Sequence, residues 1–335
     1  MVRRRDPVEE HEDGSHDLYD IATWEPRTWL DRASIRLYRG IGRTVRGIVI
    51  LVAIFILIAQ FALTGLAAIA NPIVGVFILL SVVPALGLAA YVWHTDVSMR
   101  EPLGLLVTTF LLGVLFASFA AILNTMAQPA FRTIPLIGMA LFFFLIVGPV
   151  EETVKWLAIR LYAYRSDSFD AVIDGAVYGA VAGLGFATIE NTIYIGQQYL
   201  SALQAGTMGN PLGATIGTAA IRSFAGPGHV IYSGFAGYYL GLAKFNRENA
   251  GPIVVKGLLI ATLLHGTYNT AVTYLPGFVQ LAGVSVSPAV VFLGFVVLYD
   301  GVFGYALYRK LARYRRLYLQ SKRTDAEVAE AFTED

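Results

Sequence analysis

Nine polar side chains stand inside or at the edges of long apolar stretches: Glu151, Glu152, Lys155, Asp174, Glu190, Asn191, His229, His265 and Asn269. On membrane-insertion scales a charge at a helix centre costs roughly 2.5–3.5 kcal/mol, so Glu151, Glu152, Lys155 and Glu190, ionised and unpaired, together cost on the order of 10 kcal/mol. Pairing, protonation or a water-filled cavity must offset that penalty. Glu151 and Lys155 are four residues apart and Glu152 and Lys155 three, while the two glutamates point about 100° apart on a helix. One ammonium can therefore reach either carboxylate but neutralise only one. Adjacent carboxylates in a low dielectric resist ionising together, which leaves one charged and one protonated, a usual source of a base and an acid at neutral pH. A single Glu–Lys pair would equally serve to brace a bundle; the second glutamate tilts the pattern toward chemistry.

Further along, Phe186, Glu190 and Tyr194 share one helical stripe at four-residue steps, with Asn191 beside Glu190. Upstream, Asp174 opens a series Gly175, Gly179, Gly183, Gly185 that lets a neighbouring helix approach closely. His229 follows Gly226-Pro227-Gly228, and His265 has Asn269 one turn later. Two histidines on separate helices, near intramembrane carboxylates, can hold a metal or form an acid and an oxyanion site, and Asn269 can donate to an oxygen beside His265. The chain has no cysteine, which removes disulfides, thiolate ligands and thiol nucleophiles.

Long helices must position these residues. Of 335 residues 56% are hydrophobic and only 15% charged, far from a water-soluble composition. Apolar runs at about 47–70, 73–93, 103–123, 134–162, 171–194, 225–243, 253–274 and 288–308 each approach the roughly 20 residues that cross the hydrocarbon core. In lipid such runs are helices, so the expected fold is an all-α polytopic membrane bundle of about eight transmembrane helices, with its chemistry on helices four to seven. Residues 1–46 form a charged N-terminal segment without signal-peptide character, 47–308 the membrane domain and 309–335 a charged tail, basic and then acidic. Lys and Arg gather on alternate flanks (27–46, Arg100, Arg160, Arg165, Lys244, Arg247, Lys256, 309–323), whereas the other flanks hold only Arg132 and Arg222. Both termini are therefore expected in the cytoplasm of a multi-pass cell-membrane protein, with a loop at 197–224 outside. The net charge of +1 carries no nucleic-acid footprint. Counting about 1.5 Å per residue from the flanks puts Glu151, Glu190 and His265 at the midplane or outer half, with His229 near the outer end of its helix and a mismatch of several ångströms. A break at Gly148-Pro149 can absorb part of it.

Soluble protease signatures are absent: there is no HExxH and no GxSxG, and Tyr299-Asp300 lacks the GxGD partner of presenilin-type enzymes. Four motifs do occur in order: Glu151-Glu152-x-x-Lys155; Asp174-Gly175 leading to Gly183-Leu184-Gly185-Phe186-Ala-x-x-Glu190-Asn191-x-x-Tyr194; His229; and His265-x-x-x-Asn269. Over about residues 142–270 this resembles the PrsW family of intramembrane proteases. The wider group includes type II CAAX-prenyl proteases, bacteriocin-processing proteins and a scaffold subunit of gamma-secretase. The prenyl-protease branch resembles EExxxR, FxxxH and HxxxN; here Lys155 comes one position early and Glu190 stands in place of a histidine, which fits PrsW better. That departure leaves position 190 open as a metal ligand or as a carboxylate alone. The resemblance implies cleavage of a membrane-anchored, single-span protein near the outer face, as in site-one processing of anti-sigma factors, with the lipid bilayer as the other partner.

On this reading Glu151, Glu152, Glu190, His229, His265 and Asn269 are the expected catalytic residues, and Lys155, Asn191, Tyr194 and Asp174 support them. Water is activated by glutamate and histidine. His229, His265 and Glu190 are candidate ligands for Zn2+, and a metal-free glutamate mechanism is nearly equivalent because no His-x-x-x-His pair fixes a zinc. The competing functions are a non-catalytic scaffold of the same fold and a proton-coupled transporter.

Overall fold

The computed structural model describes residue 17 and residues 26–96, 101–205 and 210–331. Every regular element among them is helical: α1 (Trp29–Ala70), α2 (Pro72–His94), α3 (Leu103–Arg132), α4 (Gly138–Phe142), a π-helical turn (Phe143–Val147), α5 (Gly148–Leu161), α6 (Val172–Gln204), α7 (Pro211–Phe245), α8 (Ala250–Leu281) and α9 (Pro288–Ala331). The all-α expectation holds, and the apolar runs fall on these elements except that the run at 134–162 begins in a turn at 134–137. By length and composition, five helical segments among the described residues can cross a membrane: Pro72–His94, Leu103–Arg132, Val172–Gln204, Arg247–Leu281 and Pro288–Gln320. Most of residues 1–25, Arg100 and the last four residues lie outside the described residues, and with them parts of the charged segments used for orientation. Backbone contacts divide the chain into Met1–Ile54 and Phe55–Asp335, and the site belongs wholly to the second unit.

Local chemistry sets the helix starts. Asn71 and Asn210 each accept a hydrogen bond from the backbone N–H two residues on (3.1 and 3.0 Å), and each is followed by a proline whose missing N–H costs nothing in the first turn. Within the helical stretch from Gly138 to Leu161, Pro149 cannot donate to the carbonyl one turn earlier, and the ladder opens into the π turn just before it. The expected break at Gly148-Pro149 is thus a change of helical register that resets the face α5 presents, with the helix continuing through it.

The 18-residue apolar window of α6 is 83% buried, against 22% in α2 and 11% in α9, so α6 is the central rod, with α2, α3, α5 and α7 packed on it and α8 and α9 packed on α7. Its glycines do what the spacing predicts. A β-carbon at Gly179 would lie 2.2 Å from the carbonyl oxygen of Ser233 on α7, and one at Gly185 would lie 2.3 Å from that of Phe110 on α3. Backbone therefore meets backbone on two sides of α6.

Two sequence expectations change here. The outer loop at 197–224 is mostly helix, because α6 continues to Gln204 and α7 begins at Pro211. Pro227, read as a helix start, stands inside α7 among Ala225, Gly226 and Gly228, which have no bulk to crowd its ring. His229 is consequently in the body of α7, within hydrogen-bond reach of Glu190 and Lys155.

Candidate active site

Six of the predicted residues come together in one network, five of them buried and Glu190 partly so. The Lys155 ammonium donates to Glu152 Oε1 (2.7 Å) and to His229 Nδ1 (2.9 Å), and its Nζ is 3.9 Å from Glu151 Oε2. The lone ammonium thus takes Glu152 as its partner. His265 Nδ1 lies 2.9 Å from Glu152 Oε1, and His229 Nε2 lies 2.8 Å from Glu190 Oε2. Phe186 stacks on His229 at 5.3 Å between ring centroids and receives Lys155 on its face at 4.2 Å. Glu152 is wholly buried, and Lys155, His265, Glu151 and His229 nearly so.

Donor counting fixes the tautomers. An ammonium has only donors, so His229 Nδ1 must accept and Nε2 must carry the proton that goes to Glu190. Glu152 Oε1 accepts from Lys155, so His265 donates through Nδ1, and as a neutral imidazole it leaves Nε2 bare. That bare nitrogen faces Glu151 Oε2 across 3.7 Å, and Glu151 Oε2 is buried without a hydrogen-bond partner. Two acceptors pointed at one gap call for a water, a proton or a cation between them.

Charge arithmetic gives the same result. Lys155 is spent on Glu152, and Arg222 on Glu190, whose Oε2 receives Nη2 at 2.7 Å. Glu151 is the remaining carboxylate; its other oxygen accepts from Asn124 Nδ2 at 2.9 Å. Glu151 and Glu190 line a cavity of about 870 Å³ bounded by α3, α6, α7 and α8, together with Tyr194, Arg222 and Asn269.

The remaining predicted residues divide. Asn269 lines the cavity one turn from His265, where its amide can face a substrate carbonyl. Tyr194 lines it too, with the Arg222 guanidinium 4.7 Å from its ring centroid. Asn191 braces the network, donating to the Ser81 carbonyl (3.2 Å) and to Ser81 Oγ (3.0 Å) on α2. Asp174 lies elsewhere: its carboxylate caps α6 by accepting from the N–H groups of Asp170 and Ala171 (both 2.7 Å), and it groups with Asp96 and Glu101. Glu101, outside the spans, is pushed up to about 8, chiefly by burial and further by Asp174 and Asp96, against the lowering effect of a hydrogen bond from Tyr178.

The sequence reasoning passed over three contributors. Asn124 lies one residue beyond the third apolar run and marked its end; Arg222 served only as an outer flank; Ser233, whose Oγ is 3.4 Å from Glu152 Oε2, resembles any small membrane residue. The available signal was helical phase: Arg222 lies seven residues before His229, two turns along the same face.

Glu151, His229 and His265 each offer a ligand atom within 4.8 Å of the others, so one ion can be shared among them. Two imidazoles and a carboxylate suit zinc with a position left for water, and the orphaned Glu151 oxygen is the kind of atom such an ion satisfies. The residues fit the group. Lys155 holds His229 Nδ1 and Glu190 holds Nε2, so one of these bonds would give way were His229 to hold an ion.

A multi-helix membrane protein with a buried carboxylate–histidine site opening on a cavity has the makings of an intramembrane hydrolase. Comparison with known proteins names the kind. Residues 101–301 match the profile of the PrsW family intramembrane metalloproteases, and the chain belongs to that family. Curated relatives named Protease PrsW include those of Shouchella clausii (27% identical, 57% of this chain, 81% of the relative), Bacillus subtilis strain 168 (28%, 59% and 83%) and Geobacillus kaustophilus (30%, 56% and 76%). No solved structure matches. The chain is a multi-pass membrane protein and an intramembrane protease.

Proposed function

We propose that the chain hydrolyses a peptide bond in a single-span, membrane-anchored protein, with Glu151 as the base that takes a proton from the attacking water. The observation carrying this reading is the 3.7 Å gap between Glu151 Oε2, which has no hydrogen-bond partner, and the bare Nε2 of His265. A water that donates to both acceptors from the cavity side can lose a proton to either. Glu152 holds His265 in the required tautomer, and Lys155 locks Glu152 and turns His229 toward Glu190. Asn269 donates to the oxyanion that develops on the scissile carbonyl. Were zinc bound, Glu151, His229 and His265 would hold it and it would supply Lewis-acid charge stabilisation, with Glu151 then serving as a ligand in place of a base.

Arg132 and Arg222 line the cavity, and Arg160, Arg165 and Lys244 are not among its lining residues. The bias of Lys and Arg toward the inside then favours a cavity open to the outer face of the cell membrane, with both termini cytoplasmic. That placement suits site-one trimming of a protein such as an anti-sigma factor.

The test is co-expression with tagged single-span substrates and sequencing of the new N-terminus. Glu151→Gln and His265→Ala should each abolish cleavage, and a zinc chelator should inhibit it with recovery on added zinc. Cleavage that persists in both variants would overturn the assignment of the base. Chelator-resistant cleavage would instead place water activation on Glu151 and His265 alone.

A further inference from the structure

We propose that Arg222 is a positioning residue of this site, setting the orientation of His229 through Glu190; the proposal rests on the protease reading above. Arg222 reaches Glu190 Oε2 through Nη2 (2.7 Å) and Asn191 Oδ1 through Nε (2.9 Å). Asn191 is in turn anchored on α2 by its two hydrogen bonds to Ser81, and the guanidinium stacks on Tyr194. A rigid fork with three fixed neighbours holds a direction, which a flexible ammonium does not.

That direction is delivered to His229. Glu190 Oε2 accepts from both Arg222 Nη2 and His229 Nε2, so one oxygen joins the fork to the imidazole. With Nε2–H committed to Glu190, the ring turns Nδ1 toward Lys155. A continuous line therefore runs from α2 through Ser81, Asn191, Arg222 and Glu190 to His229. Without Arg222, Glu190 keeps only the imidazole N–H as a donor and can swing into the cavity it already lines. His229 then loses the fixed acceptor of its Nε2–H, and the ring is held through Lys155 alone. Partners of this outer kind, which orient a histidine through a carboxylate, are worth about 10–100-fold in activity when removed.

The experiment uses the full chain in detergent or liposomes. Arg222→Gln should lower kcat about 10–100-fold with KM within about threefold and a thermal midpoint near that of the wild type. Arg222→Lys should recover part of the loss. Because the effect passes through Glu190, Arg222→Gln should cost nothing further in a Glu190→Gln background. A second readout is independent of activity: 15N-histidine NMR, with His229 assigned by loss of its signals in His229→Gln, should show protonated Nε2 and bare Nδ1 in the wild type, and a shifted and exchange-broadened Nε2–H signal in Arg222→Gln as the bond to Glu190 loosens.

Independent, multiplying losses in the double variant would overturn the proposal, as would a raised KM with kcat retained, which marks a substrate contact. An unchanged His229 spectrum in Arg222→Gln would overturn it as well. If the wild type cleaves no substrate, the protease reading fails while the spectra still decide the role of Arg222.

Discussion

The sharpest perturbation alters no polar side chain. Gly183 packs α6 against α7, where a β-carbon would lie 2.4 Å from the His229 carbonyl oxygen and 3.1 Å from Ser233 Oγ. Non-bonded heavy atoms settle near 3.5 Å, so Gly183→Ala must push α7 away locally by about 1 Å. His229 rides on that turn, and its hydrogen bonds of 2.8 Å to Glu190 and 2.9 Å to Lys155 would stretch beyond the usual limit of about 3.2 Å. Misplacing a catalytic group by about 1 Å costs on the order of 100-fold in rate. Overpacking costs about 1–3 kcal/mol, and replacing a mid-helix glycine returns about 0.5–1 kcal/mol, so the bundle should stay folded. The assay pairs the cleavage rate of a single-span reporter in liposomes with the thermal midpoint in detergent. Gly217→Ala on α7 is the control, since nothing lies within 4 Å of a β-carbon there; it should cleave like the wild type and melt slightly higher. A folded Gly183→Ala protein that cleaves at the wild-type rate would refute the claim that backbone contact between α6 and α7 places His229.

Two further outcomes follow from buried charge. Lys155→Met strands Glu152, which is wholly buried, and should lower stability by about 3–5 kcal/mol. The double change Lys155→Met with Glu152→Gln should melt above Lys155→Met alone; a lower midpoint would mean the ammonium acts mainly through packing. Glu101 concerns pH: the folded chain holds its proton up to about 8, whereas the unfolded chain releases it near 4.5. Its contribution to stability is therefore present below about 4.5 and is lost as pH rises through 8. Glu101→Gln removes that dependence, so its thermal midpoint relative to wild type should climb between pH 5 and pH 9 by the equivalent of on the order of 2 kcal/mol; a pH-independent difference would count against a buried, protonated carboxyl.

What could be read from the sequence was whatever depends on spacing along one helix. Four- and three-residue steps tied Lys155 to both glutamates and put Phe186 and Glu190 on one stripe, and the glycine series foretold the close approach of α7. What could not be read depends on meetings between helices. Arg222 and Asn124 looked like punctuation because charged and amide residues normally end membrane runs, yet both helices continue through them, α3 to Arg132 and α7 from Pro211. Pro227 misled for a related reason: a proline among small residues leaves the same local pattern whether it opens a helix or sits inside one. Which imidazole nitrogen is bare is also invisible to spacing, because it follows from who donates to whom across α5, α7 and α8.

The same donor logic explains why this site carries three glutamates against two cations. Two ion pairs would suffice to neutralise Glu152 and Glu190, and a bundle selected for stability alone would have no use for a third carboxylate beside them. Glu151 is held by a single amide, from Asn124, with its second oxygen left facing His265 at the edge of the cavity. A buried acceptor kept without a donor is a standing cost in a fold, and it persists where something transient completes it. Water, an ion and the substrate are what the cavity can deliver, which is why the chemistry is placed on Glu151 while the better-bonded glutamates orient the histidines around it.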